Sequence, residues 1–169
     1  MVSKPRAERL RSWLARYGFL LVLAAGIGYW YFRYMVVHEI AWSDQAVITP
    51  DGRHLPAEEA LQFPCVVHFY ASWCGPCVAE LPKLSGFAAS HRHIRIYLIT
   101  DDSAEKAQRV SEAFGLDVLR ADDLDDFGVH TIPVTYFYDK RHEQVMATQG
   151  AVAWDNHSAT QPIENLFSQ

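Results

Sequence analysis

The sequence predicts an α/β layer fold with a parallel central portion, and three observations carry that reading. Residues 65–70, 94–99 and 134–138 are short runs rich in apolar, β-branched and aromatic side chains, with the length of buried strands. Stretches of helical composition follow the first two runs, and strands that alternate with helices pair side by side in parallel. Between the first strand and its helix stands Trp73-Cys74-Gly75-Pro76-Cys77, two cysteines at redox spacing.

The elements follow in chain order. Residues 1–16 carry Lys4, Arg6, Arg9, Arg11 and Arg16 against the single acid Glu8, whereas Tyr17 to Phe32 contains no charged side chain. As a helix that uncharged stretch is about 24 Å long, and extending it past Arg33 to Val37 gives about 31 Å, the thickness of a hydrocarbon core. The sequence therefore predicts a transmembrane anchor over residues 17–37. Arg33 snorkels near its far end, and Tyr29, Trp30, Tyr31 and Tyr34 form an interfacial belt. Positive charge before the anchor places residues 1–16 in the cytoplasm and the rest of the chain outside. A cleavable signal peptide is the rival, with small residues at Ala24-Ala25-Gly26, but the apolar region runs on past them. Residues 38–44 read as a tether, and residues 45–169 as one domain of ordinary size.

Residues 65–70 form the strand that leads into the motif. After the motif, Val78-Ala79-Glu80-Leu81 continues as helix, and Pro82 kinks it without ending it because Lys83-Leu84 and Phe87 carry the pattern onward. Residues 94–99 alternate as a strand, and Thr100-Asp101-Asp102-Ser103 supplies helix-capping side chains. Residues 104–114 form the next helix, with Gly115 as its stop. Asp122, Asp123, Asp125 and Asp126 read as a solvated loop. Thr131-Ile132-Pro133 precedes the strand 134–138, and residues 139–142 turn the chain into a last strand over 144–148.

The cysteine pair carries the chemistry. At the start of a helix the two thiols lie on one face, close enough for a disulfide. Free N–H groups and the helix dipole favour a thiolate at Cys74, the exposed first position. That makes Cys74 the nucleophile and Cys77, one turn further in, the resolving thiol. Half a zinc site and an inert structural disulfide are the alternatives. Zinc needs a second ligand pair, yet the only other cysteine is Cys65, and His91-Arg92-His93 lacks the spacing. Cys65, inside an apolar strand, reads as a small buried hydrophobe.

The segment from Val67 to Pro82, with His68-Phe69-Tyr70-Ala71-Ser72 leading into the motif, resembles the active site of the thioredoxin superfamily, specifically its membrane-anchored TlpA/ResA-like branch. Phe127 to Thr135 is similar to the family's cis-proline loop, Pro82 falls at its helix-kink position, and Gly150-Ala151-Val152-Ala153-Trp154-Asp155 is similar to a C-terminal segment of the branch. The resemblance implies a thioredoxin-like fold, a central mixed β-sheet flanked by helices. It implies that Ile132-Pro133 is cis beside the cysteines, where Ile132 pairs with an extended substrate segment. Trp73, Gly75, Pro76, Thr131, Ile132 and Pro133 are then the substrate-binding residues. Glu80 matches an acid linked to thiol proton transfer, with an ordinary helix-start glutamate as its alternative. His68 departs from the branch, which carries Asp or Asn there. It reads either as a proton relay near Cys77 or, preferably, as a satisfied core histidine. Val134 stands where cytochrome-maturation relatives of the CcmG type carry Glu, against that dedicated role.

The resemblance implies a thiol-disulfide oxidoreductase, needing no cofactor, in the bacterial inner membrane with its redox domain in the periplasm. Its partners are periplasmic protein thiols and disulfides and a membrane electron donor of the DsbD type. Gly75-Pro76 is the thioredoxin dipeptide and biases the reaction toward reduction. Oxidase or isomerase activity is the alternative, and copper(I) binding by Cys74 and Cys77 a more distant one. From Gln45 onward nine basic and seventeen acidic side chains give a net charge of −8, which disfavours nucleic acid and anionic lipid as partners.

Overall fold

The computed structural model describes residues 6–35 and 39–167, which divide into two compact units, Met1–Val36 and Val37–Gln169. In the first unit α1 (Arg6–Met35) is one unbroken helix. Phe19, Leu20, Val22 and Ile27 are exposed along it. Among the described residues no helix is long and apolar enough to cross a membrane, so the span expected over residues 17–37 is not found there. Glycines at 18, 26 and 28 and the polar-tipped Tyr29, Trp30 and Tyr31 dilute the apolar centre. Residues 36 and 37 of that span lie outside the described residues.

The second unit is a seven-stranded mixed sheet with helices packed on it. In chain order it contains β1 (Ala46–Ile48), β2 (His54–Pro56), α2 (Ala57–Ala60), β3 (Cys65–Phe69), α3 (Gly75–Ser90), β4 (Arg95–Thr100) and α4 (Ala104–Phe114). It continues with β5 (Asp117–Arg120), β6 (Val134–Tyr138), β7 (Gln144–Gln149) and α5 (His157–Phe167). The sheet order is β2-β1-β5-β4-β3-β6-β7. β3 and β4 pair in parallel, as expected, and β5, a strand of four residues that the sequence pattern did not predict, extends the parallel portion beside β4. β6 returns antiparallel on the other side of β3, with β7 beyond it.

Every residue of β3 is buried, as a strand covered on both faces must be. Alternation divides it: Cys65, Val67 and Phe69 enter one core cluster, with Trp42, Phe127 and Tyr136, while Val66 enters the other. The second cluster also holds Tyr70, Cys74, Cys77, Leu81, Leu84, Phe87, Trp154 and Ile163. On α3 the buried positions are Cys77, Glu80, Leu81, Leu84 and Phe87, one stripe at helical spacing. Pro82 lies on the exposed side and the helix runs through it, as expected.

Thr100-Asp101-Asp102-Ser103 does not cap α4 as expected. Ser103 occupies the N-cap position but its side chain makes no capping bond. Thr100 and Asp102 turn toward the motif loop. Gly115 ends α4 in the left-handed conformation at φ 65°, where a side chain would be strained.

Candidate redox site

The redox pair is built by the junction of β3 and α3. Ala71 accepts the Cys74 N–H at 3.0 Å, which turns the chain, and Cys74 becomes the N-cap of α3. Cys74 and Cys77 form a disulfide, with their Cα atoms 5.3 Å apart. The Cys77 N–H points back to Cys74 Sγ at 3.3 Å. On reduction the same N–H stabilises a thiolate at Cys74. Pro76 falls in the first turn, where a missing N–H costs the helix nothing. Cys74 is the more accessible cysteine, but it is only 6% exposed, against 0% for Cys77. The expected exposed first position is therefore nearly closed, in the cluster against which Ile132 packs. Trp73, next to it, is 73% exposed.

Opposite the cysteines, the Ile132-Pro133 peptide is cis, as the resemblance implies, and so is Phe63-Pro64, which sequence reasoning did not single out. The Ile132 carbonyl oxygen lies 3.9 Å from Cys74 Sγ. Gly128, at φ 69°, ends the short turn of residues 124–127 and directs the chain into this loop. Trp73, Thr131 and Ile132, predicted from separate parts of the sequence, meet along one cleft of about 410 Å³ that also includes Asp101, Asp123 and Asp125. Apart from its chain neighbours and its own helix backbone, Gly75 has no atom within 4 Å of where a side chain would begin, so the helix start is open to an approaching chain. Gly150 donates its N–H to the Pro133 carbonyl at 2.8 Å and ties the loop to the C-terminal segment.

Glu80 is not an ordinary exposed glutamate. It is 3% exposed, within the apolar stripe of α3 and three residues beyond Cys77. Its Oε1 accepts the Val152 N–H at 3.0 Å and the indole N–H of Trp154, while the buried Oε2 has no hydrogen-bond partner. Burial pushes its pKa above the usual carboxylate value, and the two N–H donors offset part of that rise.

His68 is a neutral core group. It is fully buried, its Nδ1 lies 2.9 Å from Thr135 Oγ1 on the paired strand, and burial lowers its pKa to about 4. Its charge therefore does not change near neutral pH. Burial likewise pushes the Cys65 thiol up to about 12, which leaves it inert.

Asp102, expected only as a helix-capping side chain, belongs to the site instead. Its carboxylate accepts both the Ser72 N–H and the Ser72 hydroxyl at 2.7 Å, two residues before Cys74. Thr100 Oγ1 donates to it at 3.1 Å and Lys106 Nζ at 3.3 Å, and Lys106 also reaches Ser72 Oγ at 3.0 Å. Burial alone would raise its pKa, but these bonds outweigh burial and hold it below the usual value. The network fixes the loop that presents Trp73 and Cys74. Its only sequence signal is polar side chains where a strand run ends.

The Thioredoxin family profile matches residues 57–159. The chain is 37% identical over 51 residues to sporulation thiol-disulfide oxidoreductase A of Bacillus subtilis, a match that spans 29% of this chain and 31% of that relative. It is 24% identical over 154 residues to the thioredoxin-like protein YneN of the same organism, covering 78% of this chain and 86% of that one. Among solved structures, dsbF of Mycobacterium tuberculosis, described in mixed oxidized and reduced forms, superposes with a TM-score of 0.60 at 25% identity, covering 75% of this chain and 97% of its own. The profile runs from α2 into α5 and encloses both cysteines and the cis-proline loop, so the chain belongs to the thioredoxin family, as a thioredoxin-like thiol-disulfide oxidoreductase.

Proposed function

We propose that this protein reduces disulfides of proteins outside the cytoplasm, held at the membrane by its N-terminal helix. The observation that carries the reading is a Cys74–Cys77 disulfide at a helix N-terminus, 3.9 Å from the carbonyl of a residue in a cis-proline loop. In the reduced protein the Cys74 thiolate attacks one sulfur of a substrate disulfide, and the other substrate sulfur leaves as a thiolate. Cys77 passes its proton to Glu80, attacks Cys74 Sγ and closes the Cys74–Cys77 bond, releasing the second substrate thiolate. Two electrons have then moved from the cysteine pair to the substrate. An extended substrate segment lies between Trp73-Gly75-Pro76 and Thr131-Ile132-Pro133 and pairs through backbone, so little side-chain specificity is needed.

A membrane dithiol donor of the DsbD type returns the two electrons. The basic N-terminus and the exposed apolar side chains Phe19, Leu20, Val22 and Ile27 of α1 support attachment to a membrane. The Gly75-Pro76 dipeptide supports a reducing potential near the thioredoxin value of about −270 mV, against about −120 mV for a strong oxidant. Equilibration of the purified protein with glutathione tests the direction. A value near the oxidant end would reverse it. A Cys77→Ala variant in cells tests the substrate class: it accumulates mixed disulfides with exported proteins, and the reading fails if none form. Resistance of the full chain to alkaline extraction from membranes tests the attachment.

A further inference from the structure

The segment after β7 touches both halves of the site. Its Gly150 N–H holds the Pro133 carbonyl, and two of its N–H groups, the Val152 amide and the Trp154 indole, converge on one oxygen of Glu80. The other oxygen, Oε2, is buried with no partner. A carboxylate held by both donors on one oxygen keeps its second oxygen available for a proton. Trp154 is itself buried and is kept in place by Phe87 of α3, with ring centroids 5.2 Å apart.

We propose that Trp154 is a positioning residue for Glu80: its indole N–H fixes the carboxylate through Oε1 and leaves Oε2 to take and return the proton that Cys77 exchanges. This rests on the role given to Glu80 above. The proton balance is the one already written, with Cys77 losing a proton to Oε2 as it attacks Cys74 Sγ, and regaining it when the disulfide is reopened by the dithiol donor.

The titratable and charged groups around it are Cys77 and Lys83 of α3, His91 at its C-cap, Asp155 of the segment itself, His157 and Glu164 of α5, His68 of β3 and the buried Tyr70 just after it. Lys83 pairs with Asp155 at 3.0 Å, both about half exposed. His91 and His157 both approach Glu164 Oε1, at 3.5 and 3.7 Å. His68 stays neutral. None of these groups replaces the indole as a hydrogen-bond donor to Glu80.

The test is a pH titration of the Glu80 side-chain carboxyl by carbon-13 NMR on the full chain, with and without Trp154→Phe. Loss of a hydrogen bond to the charged form raises the midpoint by about one unit. A merely structural role predicts the opposite sign, because a loosened segment admits water and relieves burial. Replacing Trp154 by benzothienylalanine, which keeps the bicyclic shape without the N–H, reads the same shift if the phenylalanine variant does not fold. In the Glu80→Gln background, Trp154→Phe leaves the pH profile of disulfide exchange unmoved. An unshifted or lowered midpoint, or an equal change in the profile without Glu80, overturns the proposal. The titration does not depend on electron direction, so failure of wild-type protein to reduce insulin disulfides would count against the reductase reading alone.

Discussion

Glu80 and Asp102 are both buried acids, yet their surroundings move them in opposite directions, and each leaves its own pH signature. Burial raises the folded pKa of Glu80 above the ordinary value near 4.5. Its protonated form is favoured by folding, so the stability it contributes is present below that value and is lost as pH rises through the raised one. Thermal melts of the oxidised protein across pH 4 to 8 are expected to show this loss, and Glu80→Gln, which carries no charge, is expected to lack that step. For Asp102 the order is reversed. Hydrogen bonds from Ser72, Thr100 and Lys106 hold its pKa below the ordinary 3.8, so its stabilisation is present above that value and is lost as pH falls through the lowered one. Asp102→Ala leaves the Ser72 N–H without its partner and costs about 1–3 kcal/mol at neutral pH. Denaturant unfolding measures that cost, and the gap between wild type and variant narrows in strong acid. A constant gap down to low pH would contradict the assigned network.

At the scale of elements, α3 couples the chemistry to the core. Cys74 caps it and its first turn carries Cys77, and Leu81, Leu84 and Phe87 further along the same stripe anchor it in the core. Leu84 is fully buried, so Leu84→Ala is expected to destabilise the domain by about 2–5 kcal/mol. The redox potential is expected to change little, because the cavity opens two turns from the disulfide. Potential and unfolding free energy measured on the one variant separate the two effects. β3 and β4 could be recognised in the sequence because their apolar runs are long enough to mark a buried strand. β1 and β2 could not, since each has three residues and becomes a strand only through partners, β2 on β1 across a turn and β1 also on the distant β5. α5 was also missed: it carries Pro162 inside it, a residue that normally argues against helix, and it is held by packing of Ile163 into the core.

At the scale of the whole molecule, the acidic balance from Gln45 onward and the aspartates lining the cleft beside Trp73 place negative potential beside the cysteine pair, on the route proposed for substrates. Cationic small disulfides are therefore expected to react with the reduced protein several-fold faster than anionic ones at low ionic strength, the ratio falling as salt is added. Stopped-flow rates at two salt concentrations check this, and a salt-independent ratio would place selectivity in contacts instead. The fluorescence of exposed Trp73 offers a convenient signal for those rates.

Local pattern was enough to identify the cysteine pair, the succession of β3, α3, β4, α4, β6 and β7 without β5, and the cis-proline loop, because each is written in a few neighbouring residues whose spacing or resemblance is specific. Pro82 belongs with these, since the apolar positions beyond it already announce that the helix continues. Tertiary structure alone decided how the site is wired. The Asp102 to Ser72 bonds join residues 30 apart, and the Glu80 to Trp154 bond joins residues 74 apart. Whether an acid is a surface charge or a buried carboxyl with a raised pKa depends on what folds over it. The same holds for His68, whose burial against Thr135 makes it a neutral core group. Burial and long-range hydrogen bonds arise from chain segments that meet only when the sheet closes, so no window of sequence contains them.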